Sequence, residues 1–309
     1  MEIIKGIENL QKPFRNPVVT LGNFDGIHLG HQRIFEKLKE EARKFAGESV
    51  VVTFEPHPLK ILSPGQCPPL LTPFKKKMML MEKVGVEKVL CIQFTKAFSE
   101  ISAVEFVKNV LVEKVEAKKI IVGYNYRFGR GKIGNAESLK ETCSHFGIEV
   151  KIMEALTVDD TIVSSSKIRE LIREGEVERA SKLLGRGYPV MGQVIEGTKR
   201  GHVLGFPTAN LNITEELYPK PGVYAVNVEW HEQHWKGLAN IGFNPTFDGK
   251  TLTLEVHILN FDQDLYGDEI QVSFVKRIRD EIRFHSHQEL IEQIQKDIEW
   301  VKVNVFRAQ

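Results

Sequence analysis

The chain has 309 residues, with 42 Lys plus Arg against 41 Asp plus Glu and a formal net charge of +1. That length exceeds what one hydrophobic core usually organises, so two domains are expected. A charge this close to balance supplies no global field to recruit nucleic acid or a membrane surface.

Cys67, Cys91 and Cys143 are odd in number and lack a Cys-x-x-Cys pairing, which argues against a disulfide framework and structural zinc. No apolar run approaches the ~20 residues of a membrane span, and the start of the chain, with Glu2 and Lys5, has no signal-peptide core. A cytoplasmic protein is expected.

Residues 18–21 read as a buried strand and 22–26 as a tight connection, followed by Ile34, Phe35, Leu38, Ala42 and Phe45 on one helical face. His28 and His31 are then expected in the first turn of that helix. Free backbone N–H groups and the positive end of the helix dipole favour phosphate there, and Gly30 removes a side chain that would block close approach. Gly22, Asn23, Phe24 and Asp25 join them as candidate nucleotide contacts. His-x-x-His can also be half of a metal site, though no third His, Cys or carboxylate has convincing ligand spacing, or a chance pair of histidines.

Further along, short β-rich runs at 50–54, 89–94 and 119–123 alternate with helical stretches such as 103–113, which opens on a capping box of Ser102 and Glu105. Alternation of this kind implies a doubly wound parallel sheet that binds ligands at the carboxyl ends of its strands. The segment Gly123-Tyr-Asn-Tyr-Arg-Phe-Gly129 follows such a strand, so Asn125 and Arg127 would emerge at the ligand edge, although its aromatic residues could equally be packing. Residues 129–134 match G-x-G-x-x-G but lie too far beyond the strand for a dinucleotide turn, and read instead as a flexible basic loop near phosphates. No Walker A sequence exists. Near 163–172, Ser164, Ser165 and Ser166 open a helix that carries Lys167 and Arg169 in its first turns. This is either a grip for a second phosphate group or a plain serine N-cap.

After Leu184 the pattern changes, and the domains are expected at 1–184 and 185–309. Strands at 222–230, 252–259 and 269–275, separated by Gly, Pro, Asn and Asp turns, indicate an antiparallel β-barrel. A terminal helix from His287 follows, with Leu290, Ile291, Ile294, Ile298 and Val301 on one face and Ser286 and Glu289 as a capping box. Ahead of the strands, Gly197, Gly201 and Gly205 free the backbone to wrap an anion while Lys199, Arg200 and His202 supply positive charge. Thr208 and Asn210 then offer oxygens suited to Mg²⁺ bridging ATP phosphates, although Thr-x-Asn as a bare pattern is also a turn. In 251–258 the apolar residues alternate so that Glu255 falls on the accessible face.

Residues 22–31, 123–129 and 163–169 resemble the signature segments of the bacterial FAD synthetase module of the HxGH nucleotidyltransferase superfamily, and Phe54-Glu-Pro-His-Pro58 resembles a further one. Tyr126 and Ser166 stand where that family more often has Phe and Thr. Residues 205–211, 221–224, 240–247, 265–267 and 277–283 resemble riboflavin kinase, whose catalytic acid aligns with Glu255. In this order the chain is similar, over essentially its full length, to the bifunctional bacterial riboflavin kinase/FAD synthetases.

The resemblance implies an enzyme that phosphorylates riboflavin to FMN and adenylylates FMN to FAD, both with ATP and Mg²⁺. Glu255 would take the proton of the riboflavin hydroxyl, with Thr208, Asn210 and Mg²⁺ on the phosphates. The FMN phosphate is already ionised, so the second reaction needs alignment and charge neutralisation, for which His28, His31, Asn125, Ser165 and Arg169 are the candidates. Flavin contacts are expected at His57, Pro58, Arg277, Arg279, Glu281 and Phe284. The implied partners are ATP, riboflavin, FMN and FAD, with no nucleic acid and no membrane, in a monomer or weak homo-oligomer. The rival readings are a chain active at only one module and a flavin-sensing or RNA-binding regulator with degenerate sites. Retention of His28, His31, Thr208, Asn210 and Glu255 and the lack of a basic surplus weigh against the regulator.

Overall fold

A computed structural model describes residues 1–197, 205–212, 217–246 and 249–306. Lys199, Arg200, Gly201 and His202 lie outside the described residues. The chain divides into two compact units, Met1–Ser165 and Ser166–Gln309.

The first unit is built on strands β1 (Glu2–Lys5), β2 (Val18–Leu21), β3 (Ser49–Glu55), β4 (Lys88–Gln93), β5 (Lys119–Gly123) and, after a ribbon of β6 (Arg127–Phe128) with β7 (Gly134–Asn135), β8 (Glu149–Met153). They form one sheet in the order β1-β4-β3-β2-β5-β8, with parallel neighbours throughout. A second small ribbon pairs β9 (Thr157–Val158) with β10 (Thr161–Ile162). β2 and most of β3 are buried on both faces, which is why their apolar residues come in succession instead of alternating. Val19, Leu21, Val50, Val52 and Ile120 face one apolar cluster, while Val18, Val51 and Ile121 face the other, together with Ile34, Phe35 and Leu38 of helix α1 (Leu29–Lys44). Phe45, expected on that helical face, is instead the C-cap and is exposed.

Helices α2 (Pro58–Leu62), α3 (Phe74–Lys83), α4 (Lys96–Ser99), α5 (Ala103–Glu105) and α6 (Ala136–Ser144) complete this unit. The capping box of Ser102 and Glu105 is present. The expected single helix over 103–113 is, however, one α turn that continues as a π-helix over Phe106–Val112, in which Glu113 N–H donates to the Lys108 carbonyl. The apolar face is as expected, with Phe106, Val107, Val110 and Leu111 buried; apolar spacing does not report which carbonyl each N–H selects.

Connectivity reverses at β2, because β3 and β4 lie to one side of it and β5 and β8 to the other. The carboxyl ends of β2 and β5 therefore flank the topological switch point, where open α/β sheets leave a crevice for ligands.

Helix α7 (Ser165–Glu174) starts on the last residue of the first unit. The second unit is a closed antiparallel barrel in the order β11-β12-β15-β14-β13-β16. Its strands are β11 (Tyr188–Ile195), β12 (Ala209–Leu211), β13 (Gly222–Trp230), β14 (Gln233–Thr246), β15 (Gly249–Ile258) and β16 (Glu269–Arg279). Before the barrel, α8 (Val177–Leu184) packs against β16 and β11, buries Val177, Ala180, Leu183 and Leu184, and ends at left-handed Gly185. α8 thus spends its apolar stripe on the barrel.

The terminal helix α9 (His287–Asn304) packs Ile298 and Val301 with Val223, Ala225 and Leu238. Only half of its expected capping box forms. Ser286 Oγ accepts from Glu289 N–H, but the Glu289 carboxylate accepts from His285 N–H instead of from Ser286. The helix is also pinned by charge: Arg279 donates to both oxygens of buried Asp297 at 2.8–3.2 Å.

Candidate active sites

In the first unit the chain leaves β2 through a turn in which Phe24 (φ 50°) and Ile27 (φ 40°) hold left-handed conformations beside Gly26 (φ 93°). Non-glycine residues take such angles only when their surroundings enforce them. The enforcement is visible in buried Asp25, whose carboxylate accepts from Leu71 N–H (3.0 Å), Thr72 N–H (2.9 Å) and Thr72 Oγ1 (2.9 Å). Thr72 Oγ1 in turn accepts from Gly26 N–H, and Ser165 Oγ donates to the Asp25 carbonyl at 2.8 Å. Asp25, read from sequence as a nucleotide contact, thus uses its carboxylate to shape the turn, while Ser165 ties the start of α7 to it.

His28 is the N-cap of α1 and not a first-turn residue; its Nδ1 accepts from His31 N–H at 3.3 Å. With Nδ1 accepting, the proton of the neutral ring sits on Nε2, which makes that nitrogen a donor. The His28 and His31 rings stack with centroids 3.5 Å apart, and Phe24 meets His31 edge-on at 5.2 Å. A Cβ at Gly30 would lie 3.2 Å from the His28 ring, so glycine makes room for the capping imidazole as well as for a ligand.

The Asn23 amide lies 3.3 Å from His57 Nε2, and His57 caps α2 by accepting from Leu59 N–H, which places Pro58 in the first turn. The pairing of Thr20 with Ile121 sets Gly22 beside Gly123, so exposed Asn125 and Arg127 leave the sheet next to the β2 turn. The basic segment 129–134 is the tip of the β6–β7 ribbon, where Arg130 N–H donates to the Ile101 carbonyl and Gly129 (φ 71°) closes on the Ala103 backbone. Burial raises the pKa of Tyr126, whose hydroxyl has no hydrogen-bond partner among the described residues; this is the position where the resembling family more often has Phe. Ser164 and Ser166 flank Ser165, and Arg169 lies buried farther along α7.

Sequence reasoning missed Lys77 on α3. In a run of three lysines it reads as part of a solvated face, yet it is buried and its Nζ donates to the Asn23 carbonyl (3.3 Å) and Thr53 Oγ1 (3.4 Å). Desolvation lowers its pKa despite the opposing fields of Glu55, Cys91 and Asp25.

In the second unit the barrel register sets Glu255 opposite Asn210 on one side and opposite Asn240 on the other. Directly opposed residues on antiparallel strands have Cβ atoms about 5 Å apart, so the three side chains form one polar row. Leu254 and Val256 are buried and Glu255 is half-buried, as the alternation requires. Asn240 was missed as a site residue, since its place beside Glu255 is a matter of register. A Cβ at Gly197 would sit 2.1 Å from Asn210 Nδ2, so glycine there is what lets the amide lie over the backbone. A Cβ at Gly242 would sit 2.2 Å from a Glu281 carboxylate oxygen and 3.4 Å from Asn240 Nδ2, which brings Glu281 to the end of the row.

Thr208 lies on the wall of a cavity of about 490 Å³ with Ala209, Val256, Phe261, Leu265 and Tyr266. Its approach is held by His257, whose Nδ1 lies 2.9 Å from the Pro207 carbonyl and whose ring meets Phe206 edge-on. Gly205 is left-handed at φ 87°. Two of the expected flavin contacts also hold the fold together. Arg277 donates to the Pro221 carbonyl, the Tyr224 hydroxyl and Asp280, and Arg279 is bound to Asp297. Phe284 is half-buried ahead of α9.

Residues 10–167 match the family model of FAD synthetase, and residues 184–305 that of riboflavin kinase. The chain belongs to the bifunctional riboflavin kinase/FMN adenylyltransferase family. A curated relative of that description from Buchnera aphidicola (subspecies Schizaphis graminum) is 40% identical over 306 residues, 98% of each chain. One from Escherichia coli K12 is 37% identical over 299 residues, 96% of each. A solved structure from Streptococcus pneumoniae, described as a macrolide-efflux protein, aligns with a TM-score of 0.89 at 35% identity, over 98% of this chain and 99% of that one. The chain is accordingly an enzyme, with its adenylyltransferase on the parallel-sheet unit and its kinase on the barrel.

Proposed function

We propose that the barrel transfers the γ-phosphoryl group of ATP to riboflavin through the row of Asn210, Glu255 and Asn240, and that the β2 turn seats ATP for adenylyl transfer to FMN. The observation that carries the reading is the register that lines these three residues up across β12, β15 and β14. An alcohol needs a base, and Glu255 is the carboxylate centred in that row; it takes the hydroxyl proton as oxygen attacks phosphorus and ADP leaves. Mg²⁺ fits the side-chain oxygens of Thr208 and Asn210, since it takes one or two protein oxygens and completes its shell with phosphate and water. It would supply charge neutralisation on the phosphates. Gly197, Gly205 and, outside the described residues, Lys199 and Gly201 are assigned to the same nucleotide.

In the other unit the FMN phosphate attacks the α-phosphorus and pyrophosphate leaves. His28, His31, Asn125, Arg127, the serines 164–166 and Arg169 are assigned to the triphosphate, with Gly22, Asn23, Phe24 and Gly30 as the backbone that receives it. His57 and Pro58 are assigned to flavin in this unit, and Glu281 and Phe284 in the barrel. Domains of 1–184 and 185–309, a cytoplasmic location, and a monomer or weak homo-oligomer complete the reading. The efflux description of the Streptococcus structure is not carried over, because both family models and the curated relatives name flavin activities over the same residues.

The test is product analysis with riboflavin, ATP and Mg²⁺. His31→Ala is expected to stop FAD formation by ~10²-fold or more while FMN accumulates. Glu255→Gln is expected to slow riboflavin phosphorylation by ~10²-fold or more and to leave FAD synthesis from added FMN intact. Each variant retaining both activities would remove the corresponding assignment.

A further inference from the structure

Lys77 is a buried amine that neither reaction accounts for. It is 6% exposed and, among the described residues, forms no ion pair. Burying an ammonium without a counter-ion is costly, so its hydrogen bonds deserve an explanation. They converge on one peptide. Lys77 Nζ and Thr53 Oγ1 both donate to the Asn23 carbonyl, at 3.3 and 3.4 Å, and Nζ also lies 3.4 Å from Thr53 Oγ1.

The Asn23–Phe24 bond is trans, so its C=O and N–H point in opposite directions. Drawing the Asn23 oxygen toward Lys77 turns the Phe24 N–H the other way, and among the described residues that N–H has no acceptor. The Phe24 ring stays in the core against Phe35, at 4.9 Å, so the left-handed Phe24 keeps its side chain in while its amide is presented.

We propose that Lys77 is a positioning residue for adenylyl transfer: it locks the Asn23–Phe24 peptide so that the Phe24 N–H is a preset donor to the ATP phosphates. The inference rests on the 22–31 turn being the seat of those phosphates. A donor fixed before the reaction stabilises charge developing on the phosphates without reorganising, which is the kind of term that acts on rate.

The experiment uses the full-length enzyme labelled with ¹⁵N-Phe and titrated with Mg²⁺ and α,β-methylene-ATP, with the Phe24 resonance identified from Phe24→Tyr. In the wild type the Phe24 amide is expected to shift on titration, and in Lys77→Met that shift is expected to be lost. In steady-state assays Lys77→Met is expected to lower kcat for FAD formation by about 10-fold or more, with a smaller change in KM for FMN, and Lys77→Arg to recover part of it. Riboflavin phosphorylation, carried by the other unit, stays at its wild-type rate, and wild-type positions of the other ¹⁵N-Phe resonances of the first unit report that this unit is folded. A folded Lys77→Met with wild-type adenylylation overturns the proposal, as does a wild-type Phe24 amide that ignores the analogue. If Lys77→Met does not fold, the wild-type titration still decides, and Thr53→Val is expected to weaken the same shift. His31→Ala separates the premises. Adenylylation surviving that change removes the seat of the phosphates itself, whereas loss there with survival in Lys77→Met removes only the role of Lys77.

Discussion

Gly197→Ala tests the kinase row by the smallest possible change. The added methyl would lie 2.1 Å from Asn210 Nδ2, 2.5 Å from its Cγ and 2.9 Å from its Oδ1, where ordinary contact begins near 3.4 Å. The methyl is fixed to the backbone, so the amide must retreat by roughly 1 Å, and a displacement of that size in a positioning group costs about 10²-fold in rate. The obstacle is the far end of a rotatable side chain, so relief is easy and the expected change in melting temperature is small. Riboflavin phosphorylation, followed by chromatography of FMN, should therefore fall by ~10²-fold while FAD synthesis from supplied FMN is unchanged. Gly205→Ala is the matched control: it strains a left-handed backbone at φ 87° but meets nothing within 4 Å, so its loss should be much smaller. Kinase activity in Gly197→Ala within about threefold of wild type would refute the placement of Asn210 in the site, and equal losses in both variants would mean that loop conformation, not the amide, is what matters.

A fragment of residues 166–309 should fold and phosphorylate riboflavin, whereas one of 185–309 should be far less stable. The shorter piece discards the contacts of Val177, Leu183 and Leu184 with the barrel, and at ~1.5–3 kcal/mol per buried side chain that loss is about 5 kcal/mol, a large share of a domain's stability. Equal melting temperatures for the two fragments would show that α8 is dispensable. Tyr126→Phe should raise the stability of the first unit by about 1 kcal/mol, because it removes a buried hydroxyl that has no partner among the described residues; a lower midpoint in urea would mean that the hydroxyl is satisfied in solution. Lys119, Lys44 and Lys37 bond the Glu41 carboxylate and hold its pKa far below the ordinary 4.5. Since the folded value is depressed, the stabilisation is complete above pH 4.5 and is lost as pH falls below it. Glu41→Gln should flatten the acid limb of the adenylyltransferase melting curve, and an unchanged limb would assign that limb to other groups.

What the sequence by itself determined is what repeats over a few residues. The buried strand at 18–21 and the β-rich run at 119–123 follow from consecutive apolar residues, and the apolar face of α1 through Ala42 and the accessible side of Glu255 from periodicity, neither of which needs knowledge of the partner. The tertiary structure decided whatever depends on a partner distant in the chain. Whether His28 caps the helix or sits within it is set by a turn that Asp25 locks onto Leu71 and Thr72. Glu255 acquires Asn210 and Asn240 as neighbours only through barrel register, and Arg279 becomes a clasp for α9 only because Asp297 lies opposite it. Lys77 is the extreme case, since lysines in sequence belong to water until a fold closes over one and leaves it a carbonyl to hold. Backbone and side-chain polar groups must be satisfied wherever burial puts them, and which groups are buried together is a property of the whole chain.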